Sequence, residues 1–362
     1  MTKYRFDQIA RESRETYSGN YKDIPIVGLE HIIPNEMLLS DCDKNVETTF
    51  TKSFKKGQIL FGRRRAYQRK ACVATFDGIC SGDITVIEAI EGAVSPKLLP
   101  FIIQSDDFFE HAIKGSNGAL SPRVKWEHMS NFEIELPSIS EQKLLADKLW
   151  AAYELKRSYQ DMIKATDEMV KSQFFEMLKG KAINGTISDL VTPKIANVKK
   201  TYSPDDTIQY IDISSINAED HSVSQITEYS VKDAPSRAQQ CVKYGDLLVS
   251  TVRPINRNIA IVDKDLDNLV ASTGFCVLRP NDGMLNYLLS IILSDDYTYA
   301  MCDKANGGVY PAVNNGDVLN YQIHIPDEDL AKRASLVRHQ ADKSKLICLL
   351  WNHCHCRDVY TK

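Results

Sequence analysis

The sequence predicts a mixed α/β (α+β) protein built from two tandem-duplicated globular domains separated by long helices, and three observations lead there. A short strand is written twice, NFEIELP at 131–137 and NYQIHIP at 320–326, at an offset of 189 residues in a chain of 362. The segments around it align in the same order over most of both halves. After each closing proline comes a stretch free of Pro and Gly, in which apolar residues step by three and four, the period of an α-helix.

Each copy opens as β. IPIVGLEHI (24–32) lies over IQYIDISSI (208–216), and FKKGQILFGRRRAYQRKACVA (54–74) lies over VKYGDLLVSTVRPINRNIAIV (242–262). The runs QILFGRR and DLLVSTV, entered at Gly57 and Gly245, read as strands, followed by CVATF or IAIV and then ITVIEAI or FCVLRP. A helical piece comes next, aligning IIQSDDF (102–108) with IILSDDY (291–297). A Gly/Asn/Pro loop then aligns SNGALSP (116–122) with ANGGVYP (305–311), before the closing strand. The offset drifts from 184 to 189, which places small insertions in loops, where duplicated domains diverge.

The first helical stretch, 138–180, has Ser140 as its expected N-cap, with Glu141 and Gln142 in the first turn. Leu145, Leu149, Ala152, Lys156, Tyr159, Ile163, Thr166, Val170, Gln173 and Met177 form a heptad-like seam. About 40 residues make a rod of roughly 60 Å. In the second copy Leu330, Ala334, Val337, Ala341, Ser344, Cys348 and Trp351 step the same way over a shorter span. A rod longer than a domain of this size is wide calls for a partner helix, and the other copy supplies one. With a pseudo-two-fold axis the two helices form an antiparallel coiled-coil spacer that holds two globules a set distance apart. The expected boundaries are 1–137 and 182–326 for the globules, 138–181 for the first spacer helix, and 327–362 for the shortened second helix and tail.

Composition narrows the function classes. With 43% hydrophobic and 25% charged residues the chain is an ordinary folded protein; its net charge of −4 gives no global basicity, so any anionic partner must meet a local basic surface. No apolar run reaches the roughly 18 residues of a membrane span, and MTKYRFDQIARESRE has no signal-peptide core, so a cytoplasmic protein without membrane contact is expected. Nine cysteines without a CxxC pair read as reduced thiols. The HCHC run (His353, Cys354, His355, Cys356) alternates its side chains and is expected to bind no metal.

The local basic surface is GRRRAYQRK (62–70). Arg63, Arg64, Arg65, Arg69 and Lys70 crowd one strand exit, with Tyr67 and Gln68 between them. Arginine can read guanine bidentately, glutamine can read adenine, and further cations can hold phosphate. The second copy places Arg253, Asn256, Arg257 and Asn258 there, so Arg65 answers to Arg253 and Arg69 to Arg257 while their neighbours differ. A second candidate surface is the turn before the closing strand: Ser116, Asn117, Arg123 and Lys125 in one copy, Asn306, Tyr310 and Asn314 in the other. The plainer alternatives are a solvated or carboxylate-paired basic loop and a turn that needs its glycines for backbone geometry alone. The repeated Asp106–Asp107 and Asp295–Asp296 read as helix caps or supports. No phosphate loop, dinucleotide motif, nucleophile elbow or zinc-protease motif is present, so no catalytic residue is assigned.

Two α/β repeats with GQILFGRR and GDLLVST strands, a closing I-x-[LI]-P strand, the helix start Ser140-Glu141-Gln142 and the helix end DEMVKSQFFEML (167–178) resemble the specificity subunit of type I restriction–modification enzymes. That resemblance covers the whole chain. It implies a non-catalytic reader of double-stranded DNA whose two target recognition domains each take one half of a split, asymmetric site. It further implies two modification subunits using S-adenosylmethionine, and restriction subunits using ATP and Mg, with no cofactor on this chain. The second copy departs from the pattern, with Asp329, Leu330 and Ala331 where the first has Ser140, Glu141 and Gln142. A different reading is a non-catalytic two-domain scaffold that holds proteins apart with the same helical spacer.

Overall fold

The computed structural model describes residues 1–192, 194–218, 220–308 and 310–343. Ser344, Cys348 and Trp351 of the expected second seam, and the HCHC run, lie outside the described residues. The chain divides into two compact units, Met1–Arg157 and the residues from 158 onward, so the division falls within the long helix. No helix among the described residues is long and apolar enough to cross a membrane.

In the first unit, four strands pair antiparallel in the order Ala10–Ser13, Ile84–Ala89, Ile59–Gly62, Ala71–Val73. The run Ile59-Leu60-Phe61 is apolar without alternation because this sheet is covered on both faces. Ile59 and Phe61 pack into one cluster with Phe6, Phe108 and Phe109, while Leu60 turns to the other with Ile84, Val86 and Cys72. Phe6, Phe61, Phe108 and Phe109 are fully buried, with Phe61 stacked on Phe109 at 5.5 Å. Burial also pushes the Cys72 and Cys80 thiols up to about 12.

The second unit repeats the arrangement. Leu247–Ser250 pairs antiparallel with Ile259–Ile261 on one side and Phe275–Leu278 on the other. Leu247 and Val249 face one cluster and Leu248 the other. Thr207–Ile211 runs parallel to Leu269–Ser272 in a separate four-stranded sheet. The repeated closing strand has the same task in both copies, pairing antiparallel with the opening strand of its own copy. Glu133–Leu136 pairs with Thr2–Arg5, and Gln322–Ile323 with Gly185–Thr186.

The long helix runs Ile139–Leu178, 40 residues. Its cap is Ser138 rather than the expected Ser140. The Ser138 hydroxyl accepts from the Glu141 N–H at 3.4 Å, and the Glu141 carboxylate accepts from the Ser138 N–H at 3.0 Å. That reciprocal pair needs an acidic residue three positions on, which Ser140 lacks. Asp327 stands at the matching place and accepts from the Leu330 N–H at 2.8 Å, so the second helix, 328–343, is capped by a different residue.

The buried face of the long helix is a corrected version of the expected seam. Gln142, Ala146, Leu149, Tyr153, Val170 and Phe174 are buried, whereas Leu145 is 40% exposed and Ala152 and Tyr159 are half-buried. Every seventh position, Leu149, Ile163, Val170 and Met177, lies on the inward side as expected. The intervening positions are shifted by one, because Gln142 is fastened to the first unit: it accepts from the Ser95 N–H at 2.9 Å and donates to the Pro137 carbonyl at 3.0 Å. In the second unit Phe174 and Met177 pack with Leu330 and Ala334. Arg333 lies by Gln173 and Met177 while Arg338 lies by Asp167 and Val170, so these two helical segments run antiparallel. Leu330, Ala334 and Ala341 are buried there, and Val337 is half-buried.

Candidate nucleic-acid interface

The basic loop of the first copy leaves the sheet at Gly62 and makes one 3-10 turn, Ala66–Gln68, flanked by Arg65 and Arg69. Both arginines are left-handed, at φ 54°. The second copy reproduces this with Pro254–Asn256 between Arg253 at φ 48° and Arg257 at φ 49°. Positive φ is uncommon outside glycine. Four arginines holding it at matching positions therefore mark one loop shape kept in two copies.

The second candidate segment is stitched to this loop in the same way in both copies. The Arg65 N–H donates to the Pro122 carbonyl at 2.7 Å and the Arg253 N–H to the Pro311 carbonyl at 2.8 Å. Asn117 and Arg123 exchange backbone hydrogen bonds of 3.0 and 2.9 Å, as do Asn306 and Ala312. The turns between them carry Gly118 at φ 120° and Gly307 at φ 108°, so these glycines answer a backbone need first. Two segments remote in sequence thus form one surface in each unit.

The side chains sort into two groups. Arg69 and Arg257 are clasps within their own domains. Arg69 bonds Asp106 at 2.6 Å, reaches the Asn35 side chain at 3.2 Å, and lies 4.9 Å over the Phe109 ring. Arg257 bonds Asp295 at 2.5 Å. The repeated SDD motif is thereby explained: Ser105 and Ser294 cap helices Asp106–Lys114 and Asp295–Lys304, and the first aspartate of each holds the loop arginine. Lys70 is spent on the Leu29 carbonyl at 2.6 Å. Asn314 caps helix Asn315–Leu319, accepting from the Asp317 N–H at 2.9 Å.

The other group faces outward. Arg64 and Arg123 share Asp83, at 3.4 and 2.7 Å, and the Arg123 hydrogen bond holds the Asp83 carboxyl below its usual range. The Nε atoms of Arg63, Arg64 and Arg65 are buried without a hydrogen-bond partner among the described residues. Tyr67 is 55% and Leu120 is 92% exposed, Gln68 is half-buried, and Asn117 and Lys125 are exposed. In the second copy the Arg253 guanidinium lies 4.6 Å over the ring of Tyr310, with Asn256 exposed and Asn258 half-buried alongside. Where the first copy carries Arg64, Lys70, Arg123 and Lys125, the second carries Val252, Asn258, Ala312 and Asn314. The same scaffold displays two chemistries. Sequence reasoning missed Asp83 and Leu120, which belong to no motif and matter only once the two segments meet.

One trio among the described residues, Glu30, His31 and Asp43, brings potential metal-ligating atoms within 4.8 Å of one another, but His31 Nδ1 already accepts from the Gly28 N–H at 2.9 Å. The described residues show no His- or Cys-activated nucleophile at the loop surface, whose side chains can bind and orient but carry no evident reaction.

Residues 11–161 match the family described as Type I restriction modification DNA specificity domain. The chain is 33% identical over 108 residues to the type I restriction enzyme HindI specificity subunit of Haemophilus influenzae, covering 29% of this chain and 24% of that protein. It is 26% identical over 95 residues to the EcoDI specificity subunit of Escherichia coli, covering 26% of this chain and 21% of that protein. The chain thus spans under a quarter of the length of the curated relatives it matches. Its fold is similar to a chain from a type I R-M system solved in a study of complex assembly and conformational transition, with a TM-score of 0.51 and 16% identity over 99% of this chain and 95% of that one. It is also similar to the type I S subunit from M. genitalium, with a TM-score of 0.51 and 11% identity over 100% of this chain and 96% of that one.

Proposed function

The chain belongs, through residues 11–161, to the type I restriction–modification specificity family, and from that premise we propose that it is the DNA-reading subunit of such a complex. Each unit reads one part of a bipartite, asymmetric site in double-stranded DNA. The observation that carries this reading is the loop surface built twice to one backbone plan with different side chains. Arg63, Arg64, Arg65, Tyr67, Gln68, Asn117, Arg123 and Lys125 face one half-site, and Arg253, Asn256, Asn258 and Tyr310 the other. Arg69 and Arg257 act by holding the loops in shape.

The chain itself performs no chemistry on this reading. Two modification subunits bring S-adenosylmethionine, and restriction subunits bring ATP and Mg, in the cytoplasm. The helix Ile139–Leu178 sets the gap between the half-sites.

Salt dependence of binding to duplex DNA tests the proposal. A reader neutralising about six phosphates gives a plot of log K against log salt with a slope near −5, at about −0.9 per phosphate. Weak binding that ignores salt would favour a protein scaffold instead. At residue level, Arg65→Gly accepts the left-handed backbone and removes only the side chain. It is expected to weaken recognition at one half-site by about 1–3 kcal/mol, as read by binding to site variants. Equal losses at both half-sites would assign Arg65 to general electrostatics.

A further inference from the structure

The repeat places one residue where its own pattern forbids it. Leu149 is 8% exposed and packs in the apolar core of the first unit. At the 189-residue offset the second copy has Arg338, equally buried at 7% exposure. Its Nε has no hydrogen-bond partner among the described residues, and the Asp342 carboxylate stands 3.9 Å away, beyond hydrogen-bond reach. The fold accepts leucine at this position, so the architecture does not require a cation. A guanidinium buried without a matching anion is unfavourable, which leaves a charge to be met.

Arg338 lines a cavity of about 220 Å3 within the second unit. Two more cations line it from separate segments, Lys171 on the long helix and Arg257 at the end of the 254–256 turn. Both lean on one carboxylate, Asp295, at 3.9 and 2.5 Å. Asp167 is the acidic residue of the lining, and His221 points Nδ1 at the Ile259 carbonyl, 3.2 Å away. Three cations against Asp295 and Asp167 leave a net positive charge, with donors arriving from three different elements.

We propose that this cavity is an oxyanion site that takes a phosphate group, with Arg338 as its principal ligand and Lys171 and Arg257 as supporting cations. Its volume exceeds that of one phosphate, and several independent donors suit a tetrahedral oxyanion, which offers acceptors in several directions. The phosphate is either free, as inorganic phosphate or a small phosphorylated metabolite, or part of a nucleic-acid backbone. Phosphate binding by the isolated chain does not depend on the DNA-reading proposal.

The test is calorimetric titration of the full chain with inorganic phosphate, at constant ionic strength and against chloride, for wild type, Arg338→Leu and Arg338→Lys. Phosphate is expected to bind wild type. Arg338→Leu is expected to bind about ten- to a hundredfold more weakly, the loss of one charge-assisted donor group, with Arg338→Lys intermediate. Arg338→Leu copies Leu149 and is expected to melt no lower than wild type without phosphate, while phosphate raises the melting temperature of wild type alone. Equal phosphate affinity in wild type and Arg338→Leu overturns the proposal. So does a melting temperature several degrees lower for phosphate-free Arg338→Leu, which would show Arg338 to be an internal structural pair. Displacement of phosphate by a duplex of arbitrary sequence identifies the source as DNA backbone, and simultaneous binding of both identifies it as a free phosphate.

Discussion

Replacing Asp246 with alanine is expected to destabilise the second unit by about 3–5 kcal/mol, the cost of stranding a largely buried cation. Asp246 is 1% exposed and takes a two-pronged bond from Arg279, with Nε at 2.8 Å and Nη2 at 2.7 Å. The carboxylate also accepts the Lys243 N–H at 2.9 Å, which ties the entry to the central strand. Gln58, its counterpart in the first copy, receives the Lys55 N–H at 2.7 Å in the same manner. Asp246→Asn therefore keeps the backbone bond and loses only the charge, and its cost falls between wild type and Asp246→Ala. Adding Arg279→Met to Asp246→Ala is expected to recover part of the loss, because an apolar pair leaves no uncompensated charge. Urea unfolding followed by circular dichroism reads all three. A loss below about 1 kcal/mol for Asp246→Ala would place the pair among ordinary surface bridges.

Excising residues 156–162 is expected to change which DNA site the protein reads. Seven residues shorten the helix by about 10 Å and turn it about 20° short of two full turns, so the helix keeps its buried face. If Ile139–Leu178 sets the gap, affinity for the original bipartite site falls toward the non-specific level, on the order of a thousandfold or more. A site with a gap shorter by about three base pairs becomes the better candidate, tempered by the change in helical phase. The measurement is binding to a series of sites that differ only in gap length, with the melting temperature as a check that both units still fold. An unchanged preferred gap would remove the helix from that role.

The duplication and the element types were legible in the sequence because both are one-dimensional properties. Copies align by offset, and strands and helices announce their period. The helix seam shows where such reading stops. Leu149, Ile163, Val170 and Met177 follow from the heptad spacing, but Leu145 is exposed and Ala146 takes its place. A one-residue rotation leaves the periodicity intact, and the bonds from Gln142 to Ser95 and Pro137 select between the two faces. The cap moved from Ser140 to Ser138 for a similar reason, since only Ser138 has a carboxylate three residues ahead.

By itself, then, the sequence determined that the protein is written twice, that each copy closes on a strand before a long helix, and that both copies carry arginines at matching loop positions. Only the tertiary structure decided how those arginines are used. Arg69 and Arg257 are occupied by Asp106 and Asp295, Arg64 and Arg123 share Asp83, and Arg338 borders a cavity where its counterpart Leu149 fills a core. The physical reason is that a side chain's charge is known from its letter, whereas the partner that neutralises it comes from a segment whose proximity exists only after folding. Whether a cation is spent inside the protein or left to meet another molecule depends on that pairing.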